Sequence, residues 1–393
     1  MNIKIPDHVR GLMDRIEAAG HEAFAVGGSL RDALLGIPPH DWDVTTSALP
    51  ETVASLFPDK HVIPTGLQHG TVTVVADGDP VEITTYRVDG EYTDSRRPDE
   101  VRFTTSIEDD LSRRDFTVNA MAYSDKRGLV DLFGGRDDLE KKIIRAVGDP
   151  EKRFTEDALR IMRAFRFSAQ LDFEIENNTL AAAIKLGGRL KNIARERIGS
   201  EFMRLLSSVA AGRALTTMGG VLGEIIPWEI PAERLTLVDK LPRDSEARLA
   251  LLLHGAPREA ILDTAHALRL SNEQKKRLAA MSQSSPVREI TPPACRRFLR
   301  TLGEDAPSAA RILALLGLGE RELEDALIEE SAKSPCLSVG ALAINGTDLI
   351  TEGIASGRAV GELLSSLLDS VIDAPSINER DTLLELARDL ASH

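Results

Sequence analysis

Cysteine is nearly absent: Cys295 and Cys336 are the only two in 393 residues. Thiols so few and so far apart make neither a disulfide framework nor a zinc site, so a reducing compartment is expected. Aromatic residues amount to 4%, and the Leu-, Ala-, Arg- and Glu-rich second half favours helices. No apolar run approaches the ~18 residues of a membrane span, and the polar N-terminal stretch has no apolar signal core. A cytoplasmic protein with no membrane partner is expected. Positive charge is also short. The formal net charge of -14 argues against indiscriminate coating of nucleic acid.

Such basic charge as there is concentrates. Between Lys141 and Arg213 the chain holds fifteen Lys/Arg against nine Asp/Glu. A basic band in an acidic protein fits a confined contact with a phosphate backbone, or else solvated helix faces.

Residues 1–145 alternate strand and helix signals. Strands are expected at His21–Val26, Trp42–Thr46, Thr71–Ala76, Val81–Tyr86, Met121–Ser124 and Leu129–Leu132, with helices at Pro6–Ala19, Leu30–Leu35 and Pro50–Phe57. Asp89–Pro98 reads as a mobile loop. After about Asp149 strand signals nearly vanish. Helical spacing recurs at Phe154–Ala169, Thr179–Leu186, Ala194–Leu206, Ser245–Leu253, Arg258–Leu268 and Asp381–Leu390. The expectation is an α+β protein with three parts: a mixed-sheet head over 1–145, a helical neck over 146–213, and a helical body and tail over 214–393.

Asp41 and Asp43 carry the strongest chemical signal. On one strand their side chains, with that of Thr45, share a face while Trp42 and Val44 pack inward. Two carboxylates roughly 6.5 to 7 Å apart can bracket two hard cations. Mg2+ suits such oxygen ligands, completed by substrate phosphates. Upstream, Phe24-Ala25-Val26 reads as a buried strand, Gly27 and Gly28 permit a tight turn, and Ser29 can cap the following helix. A strand, a Gly-Gly turn and a helix start form a phosphate cradle. The turn is neither a Gly-x-Gly-x-x-Gly fingerprint nor a P-loop. Glu82, opposite Val81 and Ile83 on a strand, is a candidate third carboxylate.

Asp115 and Asn119 lie four residues apart after Arg113-Arg114. They read either as a salt-bridged helix start or as a site for vicinal hydroxyls and phosphate. In the Phe154–Ala169 segment the apolar stripe Ala158, Met162, Phe165 and Ala169 leaves Asp157 and Arg160 on the opposite side, about 60° apart. They read as an intrahelical ion pair or as paired base-reading groups. Arg197 and Glu201 stand one turn apart beside a stripe of Ile198, Phe202 and Leu205, and suggest a structural role. His69 reads as a structural hydrogen-bonder.

Gly27-Gly28-x-x-Arg31-Asp32 followed by Asp41-x-Asp43 resembles the first motif of the class II tRNA nucleotidyltransferase and bacterial poly(A) polymerase family, within the polymerase β-like superfamily. Arg113 to Ala120 is similar to its ribose motif, Glu156-Asp157-Ala158-Leu159-Arg160 to its base-selecting motif, and Glu196-Arg197-x-x-x-Glu201 to its helix-stabilising motif. The likeness ends near residue 206. It implies a polymerase β-like head followed by an elongated all-helical arm, and addition of C, C and A to tRNA from CTP and ATP. Asp41 and Asp43 would hold two Mg2+, with Glu82 alongside; Gly27, Gly28, Ser29 and Arg31 would bind triphosphate. Arg114, Asp115 and Asn119 would bind ribose, and Asp157, Arg160 and Arg163 would read the base. Glu196, Arg197 and Glu201 would support that helix. A poly(A) polymerase and A-only or CC-only enzymes are the alternatives. Thr65 to Val74 looks like the CCA-adding branch, and the polar loop leans against CC-only addition. A monomer is favoured.

Overall fold

The protein is described here by a computed structural model covering residues 3–89 and 101–392. It forms an α+β fold in two compact units, Met1–Ile226 and Pro227–His393.

The first unit is built on a seven-stranded sheet. Its strands are β1 (Ala23–Val26), β2 (Asp43–Thr46), β3 (His61–Gly66), β4 (Thr71–Ala76), β5 (Asp79–Thr85), β8 (Met121–Ser124) and β9 (Gly128–Asp131), in the order β3-β4-β5-β2-β1-β8-β9. A separate ribbon pairs β6 (Arg87–Asp89) with β7 (Val101–Phe103). Every neighbouring pair in the large sheet is antiparallel except β2 with β5. That parallel register sets Asp43 beside Glu82. Strand β3 escaped the sequence pattern because Pro64 and Gly66 interrupt its alternation, and its register with β4 shifts between Ile63 and Gly66.

Helices α1 (Asp7–Ala18), α2 (Gly27–Leu34), α3 (Pro50–Leu56), α4 (Ile107–Ser112) and α5 (Gly135–Lys141) accompany the sheet. Helix α1 buries Val9, Leu12, Met13 and Ile16, the spacing of one helical face. Phe24, Val26, Tyr86, Leu111 and Ala122 form a buried cluster, so the strand leading into the Gly-Gly turn is anchored at its base.

Beyond the sheet run α6 (Pro150–Glu156), α7 (Leu159–Leu171), α8 (Asn177–Leu186), α9 (Arg195–Leu206) and α10 (Ala211–Met218). The expected single helix Phe154–Ala169 is broken. Asp157 is extended, with φ -137° and ψ 104°, and its carboxylate accepts from the Leu159 amide at 3.0 Å, which caps the start of α7. Two short strands, Ile143–Ile144 and Glu174–Ile175, pair in parallel, the second lying beyond the point where strand signals fade.

The second unit is helical among the described residues. Its core is lined by Leu349, Leu367, Ile372, Leu383 and their neighbours, and includes a long helix at Arg358–Asp373. The expected loop residues from 90 to 98 lie outside the described residues.

Candidate active site

Strand β2 starts at Asp43, so Asp41 sits in the bend before it rather than on the strand. Thr45 is not on an open face as expected: it is buried, and its hydroxyl donates to Thr84 O and Asp110 Oδ2. Asp43 nevertheless faces a pocket of about 300 Å3 lined by Val26, Thr71, Glu82, Thr84, Arg87, Arg113 and Arg114. Carboxylates and guanidiniums line it together.

Burial pushes the Asp43 carboxyl up to about 6, and the negative charges of Glu82 and Asp41 push the same way against the pull of Arg114. These carboxylates are close enough to oppose one another's ionisation. Among the described residues no three His, Cys, Asp or Glu side chains converge as a metal cage. The two carboxylates that line the pocket, Asp43 and Glu82, are hard oxygen donors of the kind that suits Mg2+, which keeps waters and takes phosphate oxygens to complete its shell.

Gly27 lies beside two of the pocket's lining side chains. Its φ of +74° is one that a side chain rarely adopts, and a Cβ there would lie 3.5 Å from both Asp43 Oδ2 and Arg114 Nη1. Bare backbone leaves the space between those two side chains free of a Cβ. Ser29 does not cap the helix as expected, because α2 already begins at Gly27. Its hydroxyl donates to Val26 O at 2.9 Å and accepts from the Asp43 amide at 3.4 Å, tying the turn to the start of β2.

The other motifs converge on one buried chain of contacts. Arg31 donates to Asp32 Oδ1 at 2.8 Å and to Asn119 Oδ1 at 2.8 Å. Asn119 donates to Asp115 Oδ1 at 3.3 Å, and Asp115 Oδ2 takes Arg163 Nε at 2.7 Å. Glu201 on α9 reaches back to α7, accepting from Arg166 Nε at 2.5 Å. The guanidiniums of Arg31, Arg163 and Arg166 all lie within 5.2 Å of the Phe167 ring centre. Burial works to raise the Asp115 carboxyl, but Arg163, Arg160 and Asn119 outweigh it and hold it near 2.

Asp157 and Arg160 are not presented side by side. Arg160 is 8% exposed rather than turned from the core, and it donates to Glu156 Oε2 at 3.0 Å and to the Arg113 carbonyl at 3.0 Å. Asp157 pairs with Arg197 Nη2 at 3.5 Å. Glu196 is exposed. His69 is exposed as well, and its carbonyl accepts from Arg87.

Two features escaped the sequence reading. Phe167 is one, and Asp110, which grips Arg113 and Arg114, is the other. The i, i+3 and i, i+4 spacing of Asp110 with the two arginines is a signal that could have found the second.

Three family models match successive stretches of the chain. A Poly A polymerase head domain matches residues 23–145, a "Probable RNA and SrmB- binding site of polymerase A" residues 172–219, and a putative tRNA nucleotidyltransferase domain 2 residues 240–387. The CCA-adding enzyme of Limosilactobacillus fermentum is 37% identical over 394 residues, covering 97% of this chain and 96% of that protein. The chain belongs to the CCA-adding enzyme family. Another family member, from Leuconostoc mesenteroides, is 53% identical over 204 residues, a match that spans only 50% of that relative's length. The crystal structure of the Bacillus stearothermophilus CCA-adding enzyme in complex with CTP is similar with a TM-score of 0.82 and 32% identity, covering 98% of both chains. Among the described residues of this family member no helix is long and apolar enough to cross a membrane.

Proposed function

We propose that this chain is a tRNA nucleotidyltransferase that adds C, C and A to tRNA 3′ ends from CTP and ATP. The observation that carries the reading is the register of Asp43 with Glu82 on neighbouring strands, in a pocket that Arg113 and Arg114 also line. Full-length likeness to a CCA-adding enzyme and structural likeness to one that binds CTP support the substrates.

Asp41 and Asp43 would hold Mg2+, with Glu82 alongside. When bound, the metal supplies charge neutralisation at the reacting phosphate and activation of the attacking 3′-hydroxyl. Ser29 and Arg31, expected at the triphosphate, are buried on Val26 and Asn119, so Arg113 and Arg114, the latter expected at the ribose, would bind it from the pocket lining, and bare backbone at Gly27 and Gly28 would let phosphate approach. Asp115 and Asn119, locked by Arg31 and Arg163, hold the ribose edge in place. Asp157, Arg160 and Arg163 would read the base, their acceptor and donor forks matching cytosine and adenine and mismatching guanine and uracil, once substrate draws Arg160 from Glu156 and the Arg113 carbonyl and Asp157 from Arg197. Most of the acceleration comes from alignment. The exposed cations between Lys141 and Arg213 meet the tRNA backbone.

The test uses tRNAs lacking one, two or three of the terminal CCA nucleotides, each incubated with one labelled NTP at a time, with products sequenced. Ordered C, C, A addition is expected. Long A tracts would mark a poly(A) polymerase, and extension of only one substrate class would mark an A-only or CC-only enzyme.

A further inference from the structure

Asp110 lies on α4 outside all of the motifs above and is 0% exposed. Its Oδ1 accepts from Arg113 Nη2 at 2.7 Å, Arg113 Nε at 3.0 Å and the Arg87 amide at 3.4 Å. Its Oδ2 accepts from Arg114 Nη2 at 3.1 Å and Thr45 Oγ1 at 3.2 Å. Five donors occupy both oxygens, so this carboxylate has no capacity left for a metal or a substrate.

What it does instead is visible in its partners. Arg113 and Arg114 are consecutive, and like charges held together repel; a carboxylate that accepts from both offsets that cost. Both arginines then line the same pocket as Asp43 and Glu82. Thr45, two residues beyond Asp43, projects from the same side of β2, so Asp110 joins the arginine wall to the carboxylate strand. The Nε of Arg114 is buried without a hydrogen-bond partner. A buried unmet donor at the wall of a pocket calls for an acceptor-rich anion. Burial pushes the Asp110 carboxyl up, but Arg114 and Arg113 overcome this and hold it below the usual carboxylate range.

We propose that Asp110 is a positioning residue that sets Arg113 and Arg114 as a fork for the phosphates of the incoming nucleotide and for the pyrophosphate that leaves. This rests on the nucleotidyl-transfer reading above. Inorganic pyrophosphate binding is measured by calorimetry in EDTA, alongside kcat and KM for CTP, for Asp110→Asn, Arg114→Ala and the double variant. Each single change is expected to weaken pyrophosphate binding about tenfold, to raise KM more than it lowers kcat, and to leave tRNA affinity intact. The double variant should bind no worse than the weaker single, because Asp110 acts through the arginines. A lowered melting temperature with unchanged pyrophosphate affinity, or losses that multiply, overturns the proposal. If Asp110→Asn does not fold, Thr45→Val frees one donor from Oδ2 and should weaken pyrophosphate binding by roughly two- to threefold; unchanged affinity again overturns it. Pyrophosphate binding without nucleotide addition by the wild type would instead refute the activity alone.

Discussion

Arg163 clamps Asp115 from α7 with Nε at 2.7 Å and Nη2 at 2.6 Å from one carboxylate oxygen. This single contact ties the segment carrying Asn119 to the helix carrying Arg160. Since Arg163 is one-third exposed, part of the pair's worth is screened. Arg163→Ala should cost roughly 1–3 kcal/mol by leaving a buried carboxylate short of donors, and it should raise KM for both CTP and ATP. Chemical denaturation and steady-state kinetics on the same preparation check both. A variant as stable as the wild type would remove the clamp from the account.

The same carboxyl predicts an acid response. Asp115 sits near 2 against an ordinary 3.8, so the folded state holds its proton more weakly than the unfolded chain does. Its stabilisation is full above about pH 4 and fades as pH falls toward 2. At ~1.36 kcal/mol per pH unit it is worth roughly 2 kcal/mol. Asp115→Asn should therefore be less stable than the wild type at pH 6, with the gap closing between pH 4 and 2. Urea midpoints across that range measure it, and a constant gap would contradict the pairing.

Asp43 gives the opposite sign. Its carboxyl is pushed up to about 6 from 3.8, so ionising it costs stability above pH 6, and that cost vanishes below pH 4. In EDTA at pH 8, Asp43→Asn should melt at or above the wild-type temperature, with no gain at pH 4. Mg2+ should raise the wild-type melting point more than the variant's. Turnover should nonetheless fall at least tenfold in Asp43→Asn, Asp43→Ala and Asp41→Ala, with tRNA binding kept. More than a tenth of wild-type turnover in saturating Mg2+ would sink the metal assignment.

Base choice is tested at Arg160. Because its side chain is buried on Glu156 and the Arg113 carbonyl, Arg160→Ala should cost roughly 1–3 kcal/mol of stability. If it also reads the base, discrimination against UTP and GTP should drop about ten- to hundredfold in relative kcat/KM. All four NTPs on tRNA ending in CC supply the comparison. Preserved ratios with lost stability would mean a structural ion pair only.

The basic band is more internally paired than its charge count suggests. Lys185 meets Glu151 at 2.8 Å and Lys191 meets Glu224 at 3.6 Å. Both lysines are about two-thirds exposed, so the pairs are worth little and phosphate can displace them. Charge reversal at Lys185, Arg189 and Lys191 should weaken tRNA binding and flatten its salt dependence. An unchanged salt slope would place the footprint elsewhere.

What the sequence determined by itself was local. The amphipathic faces of α1 and α9 follow from the helix period, which acts over a few residues, whereas the strand period misplaced Asp41, which sits in the bend before β2. Asp157 misled because its side chain competes with the helix for the Leu159 amide, a choice that period alone does not reveal. Tertiary structure alone decided that Asp43 stands in register with Glu82, that Arg31 reaches Asn119 across 88 residues, and that Arg163 reaches Asp115 across 48. Those pairings depend on strand order and helix packing, where burial leaves an ionised group no solvent to turn to and only a distant partner can satisfy it.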